Sequence, residues 1–396
     1  MKLKDKILAI FFFGINILGL PSPLLYTNLI SIFFIKKLLK TKYFILFCSF
    51  VFTLLIYYAI HFYYGVETTS YLKSLVIYIL VFINVLLAHN YIKYLGNRIN
   101  LLFDFVVKAN FIFFLTSTLL LFLNFSKLTW RYYSYSDLSN QSAGIPRFRG
   151  FLYEPSYYAL MFSPLLLYYL YRFIFIEKSY STFRNLLFVV IPIVFTWSFG
   201  VILGVLLAII IFVIYYSLKS LKINIYFLLV FSLLPVGVIL LFVFNTEISH
   251  RIVMNFRGDD LSTKGRTSNA FEIANYLIHG KSPLFGIGLG QIKVFGQEYI
   301  QNYYGYQKWY RVSIPNAFAE TLAIFGYTGA FIRLFTQLFL FFYKKCYNNM
   351  FSFTLFVFIF IYQFTGSFIT STLEYIIWLI AFMNLFPEFN ISKRYA

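Results

Sequence analysis

The chain is predicted to be all-α: a polytopic transmembrane helical bundle of about 12 (10–12) spans, with a large external loop between late spans. Three observations carry this. Hydrophobic residues make up 60% of the 396 and charged residues only 12%, which excludes an ordinary soluble domain. Apolar runs approaching the roughly 20 residues that a helix needs to cross a bilayer follow one another nearly end to end. Polar residues, by contrast, collect in two stretches, 125–150 and 246–315.

Breaks of charge or turn residues divide the apolar sequence into spans near 7–20, 23–35, 43–64, 71–92, 103–124 and 151–171. A second set falls near 185–198, 199–216, 223–245, 316–343, 351–366 and 371–386. The pair meeting at Ser198-Phe199-Gly200 reads either as two half-helices or as one long tilted helix. Lys2, Lys4 and Lys6 precede the first apolar stretch as in a signal peptide. Gly19–Pro23 is a turn without a cleavage pattern, so that span is expected to stay uncleaved. The resulting organisation is N-terminal transmembrane helices 1–124, an external loop 125–150, central helices 151–245, a large external loop 246–315 and C-terminal helices 316–396.

Lysines and arginines at loop ends, among them Lys36, Lys37, Lys93, Arg98, Arg172, Lys178, Lys219, Lys344 and Lys393, alternate so as to place both termini in the cytoplasm. The two polar loops then face outward. They are nonetheless basic: Lys127, Arg131, Arg147, Arg149, Arg251, Arg257, Lys264, Arg266, Lys281, Lys293, Lys308 and Arg311 outnumber Asp137, Glu247, Asp259, Asp260, Glu272 and Glu298. Long loops translocate regardless of charge, and a net charge of +19 also suits anionic lipid headgroups. The functional alternative is an outward anion site, because the planar fork of arginine pairs two phosphate oxygens at once.

Several chemistries are excluded or disfavoured. No P-loop occurs, and Gly286-Ile287-Gly288-Leu289-Gly290 lacks the strand, third spaced glycine and distal acid of a dinucleotide fingerprint. Neither Asp-x-Asp nor HExxH is present, and His61, His89, His250 and His279 are scattered without ligand spacing, so no metal or other cofactor is expected. Cys48 lies in a span and Cys346 beside Lys344 and Lys345, which argues against a disulfide. No soluble domain suited to nucleic acid is evident.

Three segments carry a resemblance. Arg149-Gly150-Phe151-Leu152-Tyr153-Glu154-Pro155-Ser156 opens a middle span; Gly265-Arg266 is followed by SNAFEIANYLI and Pro283-Leu284-Phe285-Gly286-Ile287-Gly288; Pro315-Asn316-Ala317-Phe318 leads through Glu320 to Gly326 and Gly329. In order and spacing, over about residues 145–330, they resemble the O-antigen polymerase and ligase superfamily of bacterial membrane glycosyltransferases. The N-terminal third matches only as generic spans. Ligases of that superfamily usually carry a histidine where the long loop re-enters the membrane, whereas this chain has Ile314-Pro315-Asn316, which favours a polymerase.

The resemblance implies a metal-independent transfer of the growing glycan from undecaprenyl pyrophosphate to a sugar hydroxyl of an incoming undecaprenyl-pyrophosphate-linked repeat unit. The setting would be the bacterial inner membrane, with the active site facing the periplasm. Membrane lipids are partners, a chain-length regulator protein is a further partner the resemblance allows, and nucleic acid is not a partner. Arg266, Arg149, Arg147, Arg251 and Arg257 are the expected diphosphate ligands, arginine supplying the charge balance a metal gives elsewhere.

Glu154 and Glu320 are the catalytic acids expected. Pro155 suits the first turn of a helix, and a carboxylate there is favoured by the helix's positive end. Helix capping or an ion pair with Arg147 or Arg149 is the plainer role for Glu154. Glu320 lies within a span, where ionisable residues are functional by default, or it pairs with Arg333. Asp104 and Lys108 have the spacing of a helical pair. Tyr153 and Asn316, inside the first and third segments, are the expected acceptor or glycan contacts. Tyr299, Tyr303, Tyr304, Tyr306, Trp309 and Tyr310 suit sugar stacking and interfacial anchoring equally. The rival readings are a ligase of the same superfamily and a lipid-linked oligosaccharide flippase. The latter usually has two similar halves, and none are apparent in this sequence. Cell-wall polymerases of the shape and division class are a further relative that no segment favours.

Overall fold

The computed structural model describes residues 41–123, 129–133, 145–152, 154–220, 261–305 and 312–391. The chain runs as α1 (Thr41–Tyr63), α2 (Thr68–Leu95) and α3 (Ile99–Phe122), then a hairpin of β1 (Trp130–Tyr133) and β2 (Ile145–Phe148). There follow α4 (Pro155–Tyr171), α5 (Tyr180–Val194) and α6 (Phe199–Ser220), the loop helices α7 (Leu261–Arg266), α8 (Ser268–His279) and α9 (Gln297–Tyr304), and finally α10 (Ala317–Tyr343), α11 (Met350–Tyr362) and α12 (Thr372–Phe382).

Among the described residues, the stretches long and apolar enough to cross a membrane are Lys42–Tyr63, Thr68–Phe122, Pro155–Ile176, Phe199–Ser217 and Ala317–Tyr343. The second is too long for one crossing and is divided at Gly96, where positive φ (49°) ends α2. Helices α5, α11 and α12 are apolar but shorter. The count of about twelve spans is therefore not reached by the described helices, and the expected spans 7–20, 23–35 and 223–245 lie outside them.

Two expectations are sharpened. Residues 185–216 form two helices rather than one tilted one, because α5 ends at Phe195 and Trp197 takes a positive φ of 49° before α6 begins. The first polar loop carries an antiparallel hairpin, Trp130 opposite Phe148 and Arg131 opposite Arg147. That hairpin docks on the end of α5: the Phe148 N–H donates to the Phe195 carbonyl (2.8 Å), and Trp130 and Phe148 are buried against Phe114.

Two apolar cores hold the helices. The larger joins α2 to α6 with α11 and α12 and is dense in aromatic rings, Phe103, Tyr168, Phe351, Phe386 and Phe389 being fully buried. The smaller joins α1 and the start of α2 to α8, the segment 287–300 and the first half of α10. Helix α12 packs on α2, α4 and α11, tying the late helices to earlier ones.

Candidate active site

At the start of α4 the backbone of Glu154 is extended (φ −132°, ψ 150°) and Pro155 takes the first helical position, its missing N–H costing nothing there. The Glu154 carboxylate does not cap the helix. It accepts from the Ser156 hydroxyl (3.2 Å) and faces Arg266, whose Nη2 lies 3.7 Å from Oε2. The ion pair expected with Arg147 or Arg149 is thus replaced by one reaching 112 positions along the chain. Both side chains stay about one-third exposed.

Asn316 fixes where Arg266 sits. Its Nδ2 donates to the Arg266 carbonyl (2.8 Å) and the Phe364 carbonyl (2.6 Å), while its Oδ1 accepts from the Ala319 N–H (2.8 Å). It is fully buried. With its amide oxygen and nitrogen both engaged, Asn316, the expected glycan contact, is placed as a joint that caps α10 and ties the arginine's backbone to it.

Helix α10 carries Glu320 and is broken at Gly326 (φ 67°, ψ −165°). The break frees backbone groups, which apolar surroundings would leave costly. The glycine-rich segment satisfies them: N–H groups of Ile287 and Gly288 donate to the carbonyls of Ala323 and Ile324 (2.9 and 3.0 Å), and carbonyls of Pro283 and Leu284 accept from Tyr327 and Thr328 (2.9 and 3.1 Å). A Cβ on Gly286 would meet the Ile324 carbonyl oxygen at 2.5 Å, and one on Gly326 would meet the Leu284 carbonyl. Of the glycines that resemble a dinucleotide fragment, Gly286 is thus required by backbone docked on backbone, and Gly290 by the Ser70 carbonyl of α2. His61 bonds both Tyr71 (3.0 Å) and the Phe285 carbonyl (2.7 Å), and Gln291 exchanges hydrogen bonds with the backbone of Glu67, so this segment is also fastened to α1 and α2. Hydrogen bonds from Ser70 and Thr69 hold the Glu67 carboxyl down at about 2.

Glu320 accepts the Ile369 N–H (2.7 Å) and does not bond Arg333, contrary to that expectation. Arg333 is bound instead to the fully buried Glu374, to Gln363 Oε1 (2.8 Å) and to Thr321 Oγ1 (2.9 Å). Gln337 and Gln363 exchange amide hydrogen bonds, and Trp378 Nε1 donates to Glu374 (3.3 Å). Two buried phenols, Tyr157 and Tyr362, lie within electrostatic reach of both Glu154 and Arg266, and Tyr157 also of Glu320. The structure thus gathers Glu154, Arg266, Glu320, Tyr157 and Tyr362 at the junction of α4, α10 and α11.

Other candidates stand apart. The Arg147 guanidinium donates to the carbonyls of Thr196 (2.9 Å) and Trp197 (3.3 Å), pinning the hairpin to the turn after α5. The Arg149 N–H donates to the Thr129 carbonyl (3.0 Å) as part of the same hairpin. Asp104 accepts from Tyr169 (2.5 Å) and Asn185 (3.2 Å) in place of the expected Lys108 pairing. Tyr276 and Tyr299 stack at 3.6 Å, and Tyr303 donates to Glu272 (2.6 Å), a bond that pushes its phenol up to about 12. Tyr153, Arg251, Arg257, Asp259, Asp260, Tyr306, Trp309 and Tyr310 lie outside the described residues. Sequence reasoning missed Tyr157, Tyr362 and Glu374. Tyr157 alone left a signal, standing one helical turn after Glu154.

The decisive comparison is with a family. Residues 185–334 match the family model described as O-Antigen ligase. The match supports the O-antigen polymerase and ligase superfamily to which the three segments point, whose members are membrane glycosyltransferase-like enzymes. No curated protein matches the chain. The matched region contains Arg266, Asn316, Glu320, the glycine-rich segment and the break at Gly326, and ends just beyond Arg333. Glu154 and Glu374 lie to either side of it, so the site joins the family region to helices on both sides. Its apolar spans and the match together mark the chain as a membrane protein.

Proposed function

We propose that the protein is an O-antigen, or surface polysaccharide repeat-unit, polymerase that transfers the growing glycan from undecaprenyl pyrophosphate to a hydroxyl of an incoming undecaprenyl-pyrophosphate-linked repeat unit. The observation that carries this is the partly exposed Arg266–Glu154 pair, 3.7 Å apart and fastened through Asn316 to the helix bearing Glu320. A loosely held arginine can exchange its carboxylate for a diphosphate, whose non-bridging oxygens suit the guanidinium fork. That exchange frees Glu154 to orient the acceptor.

The acceptor hydroxyl oxygen then attacks the anomeric carbon. A glycosidic C–O bond forms as the bond from that carbon to the phosphate oxygen breaks, and its electron pair leaves on the diphosphate that Arg266 stabilises. The hydroxyl proton passes to a carboxylate, Glu154 or Glu320, within hydrogen-bond reach. Arg149, Arg147, Arg251 and Arg257 remain further diphosphate candidates and Tyr153 a glycan contact, with the site facing the periplasm and both termini cytoplasmic.

The second reading is a ligase that delivers finished glycan to another acceptor. The family match is compatible with both, and the Ile314-Pro315-Asn316 sequence, without histidine, favours the polymerase. The test is the length distribution of lipid-linked glycan in cells deleted for the gene and complemented with wild type, Arg266→Ala or Glu154→Gln, with membrane protein levels matched. Single repeat units without the gene, and ladders restored by wild type alone, support the polymerase. Long polymer left on undecaprenyl pyrophosphate indicates the ligase. Repeat units trapped on the cytoplasmic face indicate the flippase.

A further inference from the structure

Arg333 lies on the far side of the Gly326 break from Glu320, yet reaches back to it. Its Nη1 donates to the Thr321 hydroxyl (2.9 Å) and the Ala317 carbonyl (3.4 Å). Residues 317, 320 and 321 are neighbours on one helix surface by their three- and four-residue spacing. The cation therefore lies against the turn that carries Glu320 and forms no ion pair with it, because Nη2 is held by Glu374 and Nε by Gln363, itself locked to Gln337. Glu374 is fully buried, and its second oxygen, Oε2, makes no hydrogen bond among the described residues. Among the described residues the donors bound to the Glu374 carboxylate are Arg333 and the Trp378 N–H, and the cation beside it is Arg333, with the phenols of Tyr78 and Tyr375 nearby.

We infer that Glu374 is a positioning residue for Glu320: by holding Arg333 it withholds that cation and leaves the Glu320 carboxyl open to the acceptor hydroxyl. The use of that carboxyl in glycan transfer rests on the function proposed above. The withholding itself does not. The other charged and titratable groups near Glu320 are Glu374 itself, Lys293 from the loop, Tyr78 on α2 and Tyr157 on α4, beyond which Arg266 and Glu154 are paired with each other. Lys293 is an exposed side chain, free to turn to water, whereas Arg333 is enclosed, and once released from Glu374 it has Glu320 as the carboxylate within reach.

The test uses the full chain in nanodiscs, treated with the lipid-soluble reagent dicyclohexylcarbodiimide, with modification of Glu320 read by peptide mass spectrometry. A membrane carboxyl without a cation reacts and an arginine-paired one does not. Wild type is expected to label at Glu320. Glu374→Gln is expected to label about fivefold less, since a cation left without its buried partner takes another. Arg333→Gln/Glu374→Gln, with no cation to capture, is expected to label like wild type, and polymer length in membranes is expected to follow the same order. Labelling of Glu374→Gln equal to wild type, or an unlabelled wild type, overturns the inference. Should Glu374→Gln fail to fold, the double variant carries the test, and a folded double variant with Glu320 unlabelled overturns it equally. The predicted labelling pattern without any glycan polymerisation would leave the positioning intact and sink the polymerase reading instead.

Discussion

Arg266–Glu154 and Arg333–Glu374 are the same chemical pair in two environments. The first is 35% and 30% exposed with its charges 3.7 Å apart; the second is 11% and 0% exposed and in direct contact. In the first, water competes with each partner, so exchanging Glu154 for an incoming anion is inexpensive, and the pair itself is worth little to the fold. In the second, neither charge has water to fall back on, and each is needed to make the other tolerable. A carboxylate beside an arginine is thus a replaceable placeholder at one site and a fixed strut at the other, and burial makes the difference.

The sharpest way to break this comparison is to strand a charge at the buried site. Arg333→Met is expected to destabilise the protein by about 3–5 kcal/mol, while Arg333→Met/Glu374→Leu returns close to wild type, because removing both charges leaves nothing uncompensated. Thermal unfolding of the detergent-purified chain followed by tryptophan fluorescence reads both. A double variant as unstable as the single one would mean that the pair contributes net attraction rather than mutual tolerance.

The docking of the loop on the broken helix comes next. At Gly286 and Gly326 the backbone has φ of 77° and 67°, and an added Cβ would meet main-chain atoms that cannot move aside. Gly286→Ala is expected to cost about 3 kcal/mol from strain and overpacking together, seen in the same unfolding measurement. Gly305→Ala is the control: its φ is similarly positive (66°), but nothing lies within 4 Å of the added carbon, so only the strain remains. Equal losses in the two variants would show that the contact with α10 contributes nothing.

Asn316→Ala stands between the two pairs in effect. It removes the cap of α10 and leaves the Arg266 and Phe364 carbonyls without the amide, for about 2 kcal/mol. Because Asn316 also places Arg266, polymer length should shorten more than the stability loss accounts for. Asn316→Asp, which keeps the capping oxygen and loses the two donors, separates these effects when melting and glycan length are compared.

The outline of the fold was legible because a bilayer imposes a length on apolar runs. Expected spans 43–64, 71–92, 103–124 and 316–343 fall within a few residues of α1, α2, α3 and α10. The start of α4 was legible for a local reason, the proline after Glu154. What was not legible depends on contacts between distant segments. The break at Gly326 sits inside a helix that remains apolar on both sides, and only the loop 40 residues earlier explains how its backbone is satisfied. On paper Glu320 had Arg333 as its partner, and it is the packing of α12 against the bundle that gives Arg333 to Glu374 instead. Of the site itself, Glu154, Arg266 and Glu320 were named from the sequence, while the pairing of the first two across more than a hundred residues was not.

The smallest expected effect on stability accompanies the largest on activity. Arg266→Ala removes one half of an exposed pair, and such pairs contribute at most about 1 kcal/mol, so the unfolding temperature should stay close to wild type. The Arg266 backbone carbonyl, which Asn316 holds, is untouched by the substitution. Glycan in membranes carrying this variant should nonetheless collapse to single repeat units, because the diphosphate loses its fork. Arg266→Lys distinguishes charge from geometry: an ammonium keeps the attraction but gives a point contact in place of two parallel hydrogen bonds, so short ladders are expected rather than none. If Arg266→Ala instead lowered the melting temperature as far as Arg333→Met does, the partly exposed pair would be a strut like the buried one, and the diphosphate would have to be held elsewhere.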